Sequence, residues 1–375
     1  MMDVRSLVEV DLGAVAHNVS TLRRLAPDAA FCVVVKADGY GHGAVPVARA
    51  AIGAGAEWLA VSQVAEAASL RRAGLTGPLL LLSEPTADEL GDAIEFDCRI
   101  MVYRRSTVER LDDLVRSGGF PSMKVHLKVD TGMQRVGCAP SDAVELASFI
   151  SDARGVELEG LATHLAVADD RSHPATTAQL AAFASVESDV RRAGFSPSLV
   201  HLANSAALIE RDEARRDLVR AGIAVYGVSP GPGVGADLGL RPAMSFRTQV
   251  TFVKPVDVGT RISYGLRHTF EKSTRVATIP VGYADGVPRA LGLAGAAVLI
   301  GGRRRRMVGV VTMDQTMVDV GDDESVVVGD DVVLIGDQGD ERITADEWAA
   351  LTGTIGYEIV CNAGRRADRR WIEPS

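Results

Sequence analysis

Several side chains that can do chemistry stand in or just after short apolar runs in the first 235 residues. They are Lys36, Lys128, Asp130, His164, Asn204, Ser205 and Arg220. If these runs are parallel strands, their carboxyl ends meet at one edge of a sheet and bring the side chains together. Lys36, at the end of the run FCVVVK, has two interpretations from its position alone. It is an amine for Schiff-base chemistry, or it pairs with a carboxylate.

The apolar runs alternate with longer stretches that have helical periodicity. Eight strand candidates span residues 31–36, 57–62, 78–83, 98–103, 123–130, 156–164, 198–203 and 217–222. The stretches between them are rich in Ala, Leu and Arg, and several end in Ala-Gly or Gly-Ala, a pattern that terminates helices. This alternation predicts an α/β fold, a (β/α)8 TIM-like barrel. A doubly wound open sheet is the alternative, but the first GxG, in YGHGAV, does not match a dinucleotide-binding fingerprint.

The pattern changes after about residue 235. Strand-like runs then follow one another, separated by Gly and Asp, which predicts a mostly antiparallel β domain. The Gly- and Pro-rich segment GVSPGPGVGADLGLRP marks the boundary. We therefore predict a barrel over residues 1–235 and a β domain over residues 236–375, with the strand at about 6–11 as a candidate to pack on the second domain. Thr344 is predicted to cap a short helix in ITADEWAALTG.

Composition and charge exclude several classes of protein. The chain has 375 residues and a formal net charge of −9, which argues against a general affinity for nucleic acid or anionic membrane. No segment has the ~18 consecutive apolar residues that cross a bilayer, and the N-terminus does not resemble a secretory signal. The four cysteines lie far apart, with no CxxC pair, as is typical of reduced thiols in a cytoplasmic protein without a metal site.

Nine strings resemble segments of the alanine racemase family, and they occur in the family's order over nearly the whole chain. They are VVVKADGYGHG, which contains Lys36, and then KVDTGMQRVG, GLATHLA, HLANSAA, VRAGIAVYG, ISYG, IPVGYADGVPR, TMDQTMVDV and GTIGYEI. The family's fold, a barrel that binds pyridoxal phosphate followed by a C-terminal β domain, agrees with the alternation described above. The resemblance implies an isomerase that interconverts L-alanine and D-alanine and supplies D-alanine for cell-wall peptidoglycan.

The resemblance also implies how the cofactor is held. Lys36 would form the Schiff base with the aldehyde of pyridoxal phosphate, because a carbonyl cofactor needs an amine nucleophile. The phosphate would be bound at strand-to-helix turns, where backbone N–H groups form an anion site. Its expected ligands are the hydroxyls of Ser205, Tyr40 and Tyr357 and the amides of Gly222 and Ile223. Asn204, which precedes Ser205, also fits an ordinary helix N-cap.

Arg220 resembles the family's arginine at the pyridine nitrogen of the cofactor. A guanidinium is always charged and cannot accept a proton, so the ring nitrogen is expected to stay unprotonated, which disfavours transamination. The resemblance implies that His164 hydrogen-bonds Arg220, and that Arg135 contacts the cofactor's phenolic oxygen and the substrate carboxylate. Lys128 matches a lysine that is carbamylated in many members, and an unmodified Lys128–Asp130 ion pair stays open as the alternative.

Inverting a stereocentre needs an acid or base on each face of the reacting carbon. The resemblance assigns one face to Lys36 and the other to the partner subunit's Tyr264 in a homodimer with its active sites at the interface. An unperturbed tyrosine has a pKa of about 10, so the site must stabilise its phenolate. Further implied residues are Met313 and Asp314 at the substrate carboxylate, and Asp169, Tyr283 and Arg289 at the substrate entrance.

The chain departs from the family's common pattern at Val310, where many members have arginine, and at Thr312, Gln134 and the pair Asp38-Gly39. None of these changes removes an implied catalytic group. Val310 leaves a broader-specificity amino-acid racemase open as an alternative. A pyridoxal-phosphate-dependent decarboxylase of the same fold is a second alternative, although it would need an acidic group where this chain has Arg220. A non-enzymatic pyridoxal-phosphate-binding barrel and a metal-dependent hydrolase are the remaining ones.

Overall fold

The computed structural model describes residues 5–373, and the chain divides into two compact units. One unit runs from Val15 to Leu240, and we call it the barrel unit. The other, the β unit, combines the chain up to Ala14 with the chain from Arg241 onward, and its first strand is β1 (Ser6–Asp11). The limits of separately folding domains, placed by the sequence at residue 235, stay a prediction.

The barrel unit is built on a parallel sheet. Its strands are β2 (Ala30–Val34), β3 (Trp58–Val61), β4 (Leu79–Leu81), β5 (Cys98–Val102), β6 (Met123–Lys128), β7 (Val156–Ala162), β8 (Leu199–His201) and β9 (Leu218–Ala221). The order across the sheet is β8-β7-β6-β5-β4-β3-β2-β9, so the last strand pairs with the first and the sheet forms a nearly closed barrel. The eight predicted strands and the barrel are therefore confirmed.

Helical segments separate the strands. They are α1 (Leu12–Arg23), α2 (Lys36–Tyr40), α3 (Ala44–Gly53), α4 (Val64–Arg72), α5 (Leu90–Glu95), α6 (Arg105–Gly118), α7 (Ala143–Asp152), α8 (Pro174–Arg192) and α9 (Ser205–Glu210). Short 3-10 turns span Ala87–Glu89, Pro140–Asp142, Asp212–Ala214 and Ile223–Tyr226. Strands β3 and β4, with the sequences WLAV and LLL, are buried at every position, as expected of parallel strands in a barrel covered by helices.

The β unit is mostly antiparallel, as predicted. Its other strands are β10 (Met244–Gln249), β11 (Phe252–Val256), β12 (Arg261–Ile262), β13 (His268–Thr269), β14 (Thr274–Ile279), β15 (Ala297–Ile300), β16 (Arg303–Met307), β17 (Thr316–Gly321), β18 (Asp331–Gln338), β19 (Glu341–Ile343) and β20 (Asp368–Ile372). The main sheet has the order β11-β14-β17-β16-β15-β18-β10-β1-β20, with β19 paired to β18. Strand β1 pairs antiparallel with β10 and parallel with β20.

The β unit contains three short α-helices among the described residues: α10 (Leu291–Ala294), α11 (Ala345–Thr352) and α12 (Gly356–Asn362). The predicted cap of α11 is confirmed, because the Thr344 hydroxyl accepts a hydrogen bond from the Glu347 amide at 3.1 Å. Two 3-10 turns, Tyr264–Leu266 and Tyr283–Asp285, carry predicted site residues. Across residues 5–373 no helix is long and apolar enough to cross a membrane.

Candidate active site

Lys36 lies just beyond the carboxyl end of β2, at the start of a turn of unusual handedness. The strand stops at Val34, and the residues that follow Lys36 have positive φ: 53° at Ala37, 52° at Asp38, 62° at Gly39 and 51° at Tyr40. Left-handed residues in succession are costly for L-amino acids. The sequence did not predict this turn, because only one of the four residues is glycine.

Two carboxylates hold the left-handed turn. Asp38 accepts a hydrogen bond from the Ala44 amide at 2.8 Å and so caps the first turn of α3. Glu66, at the start of α4, accepts one from the Ala37 amide at 2.6 Å and also binds the amides of Ser62 and Gln63. The turn is thereby fixed to the neighbouring βα unit, and Lys36 is held half-buried at the barrel edge.

Tyr40, Ser205 and Gly222 come together at the ends of β2, β8 and β9. The Ser205 hydroxyl accepts hydrogen bonds from the Gly222 amide at 2.8 Å and the Ala224 amide at 3.4 Å. A Cβ at residue 222 would lie 2.8 Å from the Tyr40 hydroxyl, so a larger residue there would push Tyr40 out of its place. The amide of Ile223, also predicted, lies in the same turn, and Asn204 caps α9 by accepting from Ala207 at 3.0 Å.

Arg220 is buried, and its guanidinium is surrounded by neutral acceptors. It donates to His201 Nδ1 at 2.5 Å and to the carbonyl oxygens of Thr163 at 3.0 Å and Leu202 at 3.1 Å. His164 Nδ1, the predicted partner, is 3.4 Å from Nη2. Burial lowers the pKa of Arg220 to about 10, which still leaves it charged at neutral pH.

Four cations at this edge of the barrel act on His164. Burial lowers the pKa of His164 well below its ordinary value, and the charges of Arg220, Arg135, Lys128 and Lys36 lower it further. His164 is therefore neutral, and it lies within the electrostatic reach of every predicted cation of the barrel unit. Arg135 itself is exposed in the loop after β6.

Lys128, at the end of β6, also lies among these cations. Its ammonium contacts the Leu82 carbonyl at 3.5 Å, and burial followed by the charges of Arg220 and Arg135 lowers its pKa to about 8. Asp130 instead accepts from the amides of Gly132 at 2.9 Å and Gln134 at 3.1 Å. The Lys128–Asp130 ion pair left open by the sequence is therefore not formed in the described part of the chain.

His201 was missed as a contributor to this site. No role in this site was predicted for His201, whereas the structure makes it the nearest hydrogen-bond partner of Arg220. The described residues contain no group of His, Cys, Asp and Glu side chains that could hold a metal ion. A histidine inside the apolar run SLVHLA was the available sign, because a buried strand position seldom holds a polar group without a partner.

In the β unit, Tyr264 lies on a tightly held loop. The φ angles of Ser263, Gly265 and Leu266 are 65°, 73° and 48°. The Ser263 hydroxyl donates to the Val310 carbonyl at 2.6 Å, which fixes the loop, while the Tyr264 residue is 72% exposed. The Val310 side chain is buried, so it places no charge on the surface.

The β unit brings Tyr283, Met313 and Asp314 together. The Tyr283 amide donates to the Thr312 carbonyl at 3.0 Å, and the next amide, of Ala284, donates to the Met313 carbonyl at 3.1 Å. Gly282 permits this approach, because a Cβ there would lie 2.1 Å from the Thr312 carbonyl oxygen. Met313 and Tyr283 are exposed.

Asp314 is held by two arginines of the β unit. Arg366 donates to its carboxylate at 2.9 Å, and Arg5 donates to its carbonyl oxygen at 2.8 Å. Arg366 also binds both carboxylate oxygens of the buried Asp285 at 2.9 Å each. Neither Arg366 nor Asp285 was singled out from the sequence, since ion pairs between distant segments leave no local pattern.

The remaining predicted residues are less closely grouped. Asp169 is exposed in the loop after β7 and lines a cavity of the barrel unit with Asp170, Glu210 and Asp237. In the β unit, Arg289 is exposed, and Tyr357 is half-buried in α12.

Comparison with protein families gives two matches that together cover most of the chain. The model described as "Alanine racemase, N-terminal domain" matches residues 10–230, and "Alanine racemase, C-terminal domain" matches residues 243–371. Among curated proteins, the alanine racemase of Symbiobacterium thermophilum is 46% identical over 361 residues, which cover 96% of this chain and 95% of the relative. That of Frankia casuarinae is 44% identical over 375 residues, 99% of this chain and 97% of the relative.

Solved structures give the same result. Alanine racemase from the D-cycloserine producer Streptomyces lavendulae superposes with a TM-score of 0.94 at 40% identity, over 100% of this chain and 99% of that one. Alanine racemase from Bacillus anthracis with bound L-Ala-P has a TM-score of 0.90 at 37% identity, over 99% of this chain and 96% of that one.

Proposed function

The chain belongs to the alanine racemase family, whose members are pyridoxal-phosphate-dependent isomerases of L- and D-alanine, and we propose that Lys36 and Tyr264 are the two bases of its reaction. The observation that carries the assignment of Lys36 is the group of cations at the carboxyl edge of the barrel. Lys36, Lys128, Arg135 and Arg220 act together on the neutral His164. Such a group suits ligands that bear phosphate and carboxylate charges.

The residues present fit pyridoxal phosphate. The amides of Gly222 and Ala224 donate to the Ser205 hydroxyl, and the Tyr40 hydroxyl lies 2.8 Å from where a Cβ of residue 222 would be, so several groups that can bind phosphate meet at one turn. We propose that Ser205, Tyr40, Tyr357 and the amides of Gly222 and Ile223 hold the phosphate, while Arg220 faces the pyridine nitrogen. When bound, the cofactor withdraws electrons from the substrate Cα and makes its hydrogen acidic.

The chain's own groups would then bind alanine and move its proton. The cation of Arg135 and the segment Met313–Asp314 would orient the substrate carboxylate. Lys36, which would hold the cofactor until the substrate amine takes its place and would then be free, would take or return the Cα proton on one face through Nζ, and Tyr264 would do so on the other through its hydroxyl. Since Arg220 cannot accept a proton, it would keep the ring nitrogen unprotonated and limit side reactions. Asp169, Tyr283 and Arg289 would line the substrate entrance.

We propose that Tyr264 serves the active site of the partner subunit in a homodimer. Tyr264, Leu266 and Met313 are 72%, 49% and 52% exposed, and large exposed side chains of this kind favour a contact with another protein surface. Closed twofold dimers are the commonest assemblies among soluble homo-oligomers. The proposed place of the reaction is the cytoplasm, with D-alanine supply to peptidoglycan as its purpose.

The first experiment tests Lys36. Protein incubated with pyridoxal phosphate and then reduced with borohydride should carry one stable adduct, located at Lys36 by peptide mass spectrometry. The same preparation should racemise L-alanine, followed by chiral chromatography, and Lys36→Ala should do neither. An adduct at another lysine, with racemisation intact, would refute the assignment of Lys36.

A second experiment tests the origin of Tyr264. The variants Lys36→Ala and Tyr264→Phe, each inactive, are coexpressed with different tags, and the mixed dimer is purified. If Tyr264 acts in trans, one of the two sites in the mixed dimer has both bases, so about half of the wild-type activity should return. The matched control is a mixed dimer of Lys36→Ala and Arg220→Lys, in which both changes lie in the barrel unit and no site is restored. Absence of activity in the first pair would assign Tyr264 to the site of its own chain.

A broader-specificity racemase is the second candidate, and the observation that favours it is Val310. This position, often arginine in the family, is a buried valine here, so no charge from it restricts the substrate entrance. Racemisation of serine and 2-aminobutyrate at more than about a tenth of the alanine kcat/KM would support this candidate. The decarboxylase alternative loses support, because Arg220 contacts no carboxylate among the described residues.

A further inference from the structure

A line of buried side chains leads from Arg220 across the barrel to a carboxylate. Arg220 Nη1 donates to His201 Nδ1 at 2.5 Å, and His201 Nε2 lies 2.8 Å from His126 Nδ1. His126 Nε2 lies 3.1 Å from the carboxylate of Glu159. His126, His201 and Arg220 are almost wholly buried, so these polar atoms exchange hydrogen bonds with one another and not with bulk water.

The hydrogen bonds of this line can run in only one direction when both histidines are neutral. A guanidinium only donates, so His201 Nδ1 must be the bare nitrogen and Nε2 must carry the proton. His201 then donates to His126 Nδ1, and His126 donates from Nε2 to Glu159. Burial lowers the pKa of both histidines, so the neutral forms are the ones present. Together the four side chains form one directed chain, in which every hydrogen bond is donated toward Glu159.

The strands make room for this chain through a β-bulge. In the pairing of β6 with β7, Val125 faces Leu158 and His126 faces Gly160, so Glu159 is the extra residue. Bulges re-aim side chains, and this one turns Glu159 toward His126. Gly160 leaves the space for the imidazole, because a Cβ there would lie 2.4 Å from His126 Nδ1. The bulge therefore makes the contact between His126 and Glu159 possible.

Glu159 is ionised at the far end of the chain. Its other oxygen binds Lys124 Nζ at 3.0 Å, and Arg99 Nε lies 3.7 Å from the oxygen that faces His126. Burial alone would raise the pKa of Glu159, but the hydrogen bonds from His126 and Lys124 outweigh it and lower the pKa. The path of hydrogen bonds that starts at Arg220 thus ends at an ionised carboxylate, with two imidazoles between them.

We propose that His201, His126 and Glu159 are positioning residues for Arg220, which orient its guanidinium toward the cofactor and supply its counter-charge from a distance. A buried cation needs compensation, yet a carboxylate in direct contact would compete with the cofactor for the guanidinium and offer the ring nitrogen a proton. Two neutral imidazoles transmit the stabilisation while keeping the acid away. This proposal rests on the proposed function in one respect, which is that the Arg220 guanidinium faces the cofactor.

The first test is spectroscopic and needs no cofactor. In cofactor-free protein labelled with 15N-histidine, His126 and His201 should both give the neutral Nε2–H pattern at pH 7, with Nδ1 bare. Glu159→Gln keeps the acceptor oxygen and the shape but removes the charge, and it should shift the ring resonances of both histidines. Glu187→Gln, at a buried glutamate that binds Arg191 and Arg216, is the matched control and should leave them unchanged. Protonated or Nδ1–H rings in the wild type would overturn the directed chain.

The second test is a double-mutant cycle on cofactor affinity. Glu159→Gln should weaken the binding of pyridoxal phosphate by about fivefold to tenfold, because charge-assisted hydrogen bonds lose strength along the chain. In an Arg220→Lys background the same change should have almost no effect, and Glu187→Gln should have none in either background. Additive losses would mean that Glu159 acts on stability alone, which would overturn the positioning role. If no variant binds the cofactor, the proposed function fails while the spectroscopic result for the chain still stands.

Discussion

Arg220 in the barrel unit and Arg366 in the β unit are two arginines in opposite surroundings. Arg366 is about half-exposed, binds both oxygens of Asp285 at 2.9 Å, and reaches Asp314 at the same distance. Arg220 is 3% exposed, and its acceptors are two backbone carbonyls and two neutral imidazoles. Carboxylates in direct contact neutralise the charge of Arg366, whereas the groups that accept hydrogen bonds from Arg220 are all neutral.

The difference shows which of the two charges is available to a ligand. The hydrogen bonds that Arg366 donates to Asp285 and Asp314 raise the pKa of Arg366 above its ordinary value, whereas burial lowers the pKa of Arg220. A bidentate ion pair uses the fork of the guanidinium to join two loops. A buried cation without an adjacent anion is costly, and such unfavourable groups are typical of functional sites.

The same substitution at both arginines tests the comparison most strongly. Arg220→Lys should lower kcat/KM for alanine by about 100-fold or more, because one ammonium cannot reach acceptors placed around a planar fork, and two lost hydrogen bonds to a charged group are worth about 3 kcal/mol. Arg366→Lys should lower it by less than about tenfold. Both are measured by chiral chromatography at saturating pyridoxal phosphate, after thermal melts have established folding. Equal losses of kcat/KM in the two variants would contradict the distinction between the two arginines.

Lys128 should make the free energy of unfolding depend on pH. The unfolded chain binds a proton on Lys128 up to about pH 10.5, but the folded chain releases it above about pH 8, so stability should rise with pH across this window. Relative to Lys128→Met, the wild type should gain at most about 3 kcal/mol of unfolding free energy between pH 7.5 and 10.5.

Urea unfolding in carbonate-free buffer measures the gain expected at Lys128. Lys254→Met, at an exposed lysine of the β unit, is the control and should show no such change. A flat difference between wild type and Lys128→Met would contradict a buried amine at Lys128 that loses its proton above about pH 8.

The two aspartates that bind Arg366 should differ from each other. The Asp285 side chain is 1% exposed and that of Asp314 is 50% exposed. Asp285→Asn leaves a buried site short of one acceptor, so Tm should fall by roughly 5 °C, and Asp314→Asn should lower it by about 1 °C or less. Differential scanning calorimetry measures both. A larger shift for Asp314→Asn would show that exposure does not decide the strength of this network.

The smallest effect is expected at Arg5. It donates to the Asp314 carbonyl at 2.8 Å, and its side chain is half-exposed. Arg5→Ala should change the unfolding free energy by less than about 0.5 kcal/mol and leave KM for alanine within about twofold, because Arg366 still holds the loop. A strong rise in KM would show that Arg5, and not Arg366, positions Asp314.

The sequence predicted the barrel because its alternation is local. Each buried strand is a short apolar run, and each helix ends at a recognisable stop, so β2 to β9 were all found within a few residues of their predicted positions. Lys36 was predicted to end the first strand, and it lies two residues beyond the end of β2. The Thr344 cap was predictable for the same reason, since it depends on neighbours three residues apart.

The chain from Arg220 to Glu159 was not predicted, because its members come from four strands, and one of them, Glu159, lies at a bulge. Their contacts depend on the register between β6 and β7, which no local pattern fixes. His126 and Glu159 stood in the predicted strands as ordinary polar residues. The Arg366–Asp285–Asp314 network was missed for a similar reason, since it joins segments 81 and 52 residues apart.

The left-handed turn after Lys36 has a consequence for the chemical synthesis of this protein. From Ala37 to Tyr40 the backbone follows the mirror image of an ordinary helical turn. An L-residue loses roughly 1–2 kcal/mol in this conformation, whereas a residue of the opposite chirality would adopt it without penalty. A semisynthetic enzyme with D-alanine at position 37 should therefore melt at a higher temperature than the all-L chain. The backbone beside Lys36 therefore favours a D-residue at position 37.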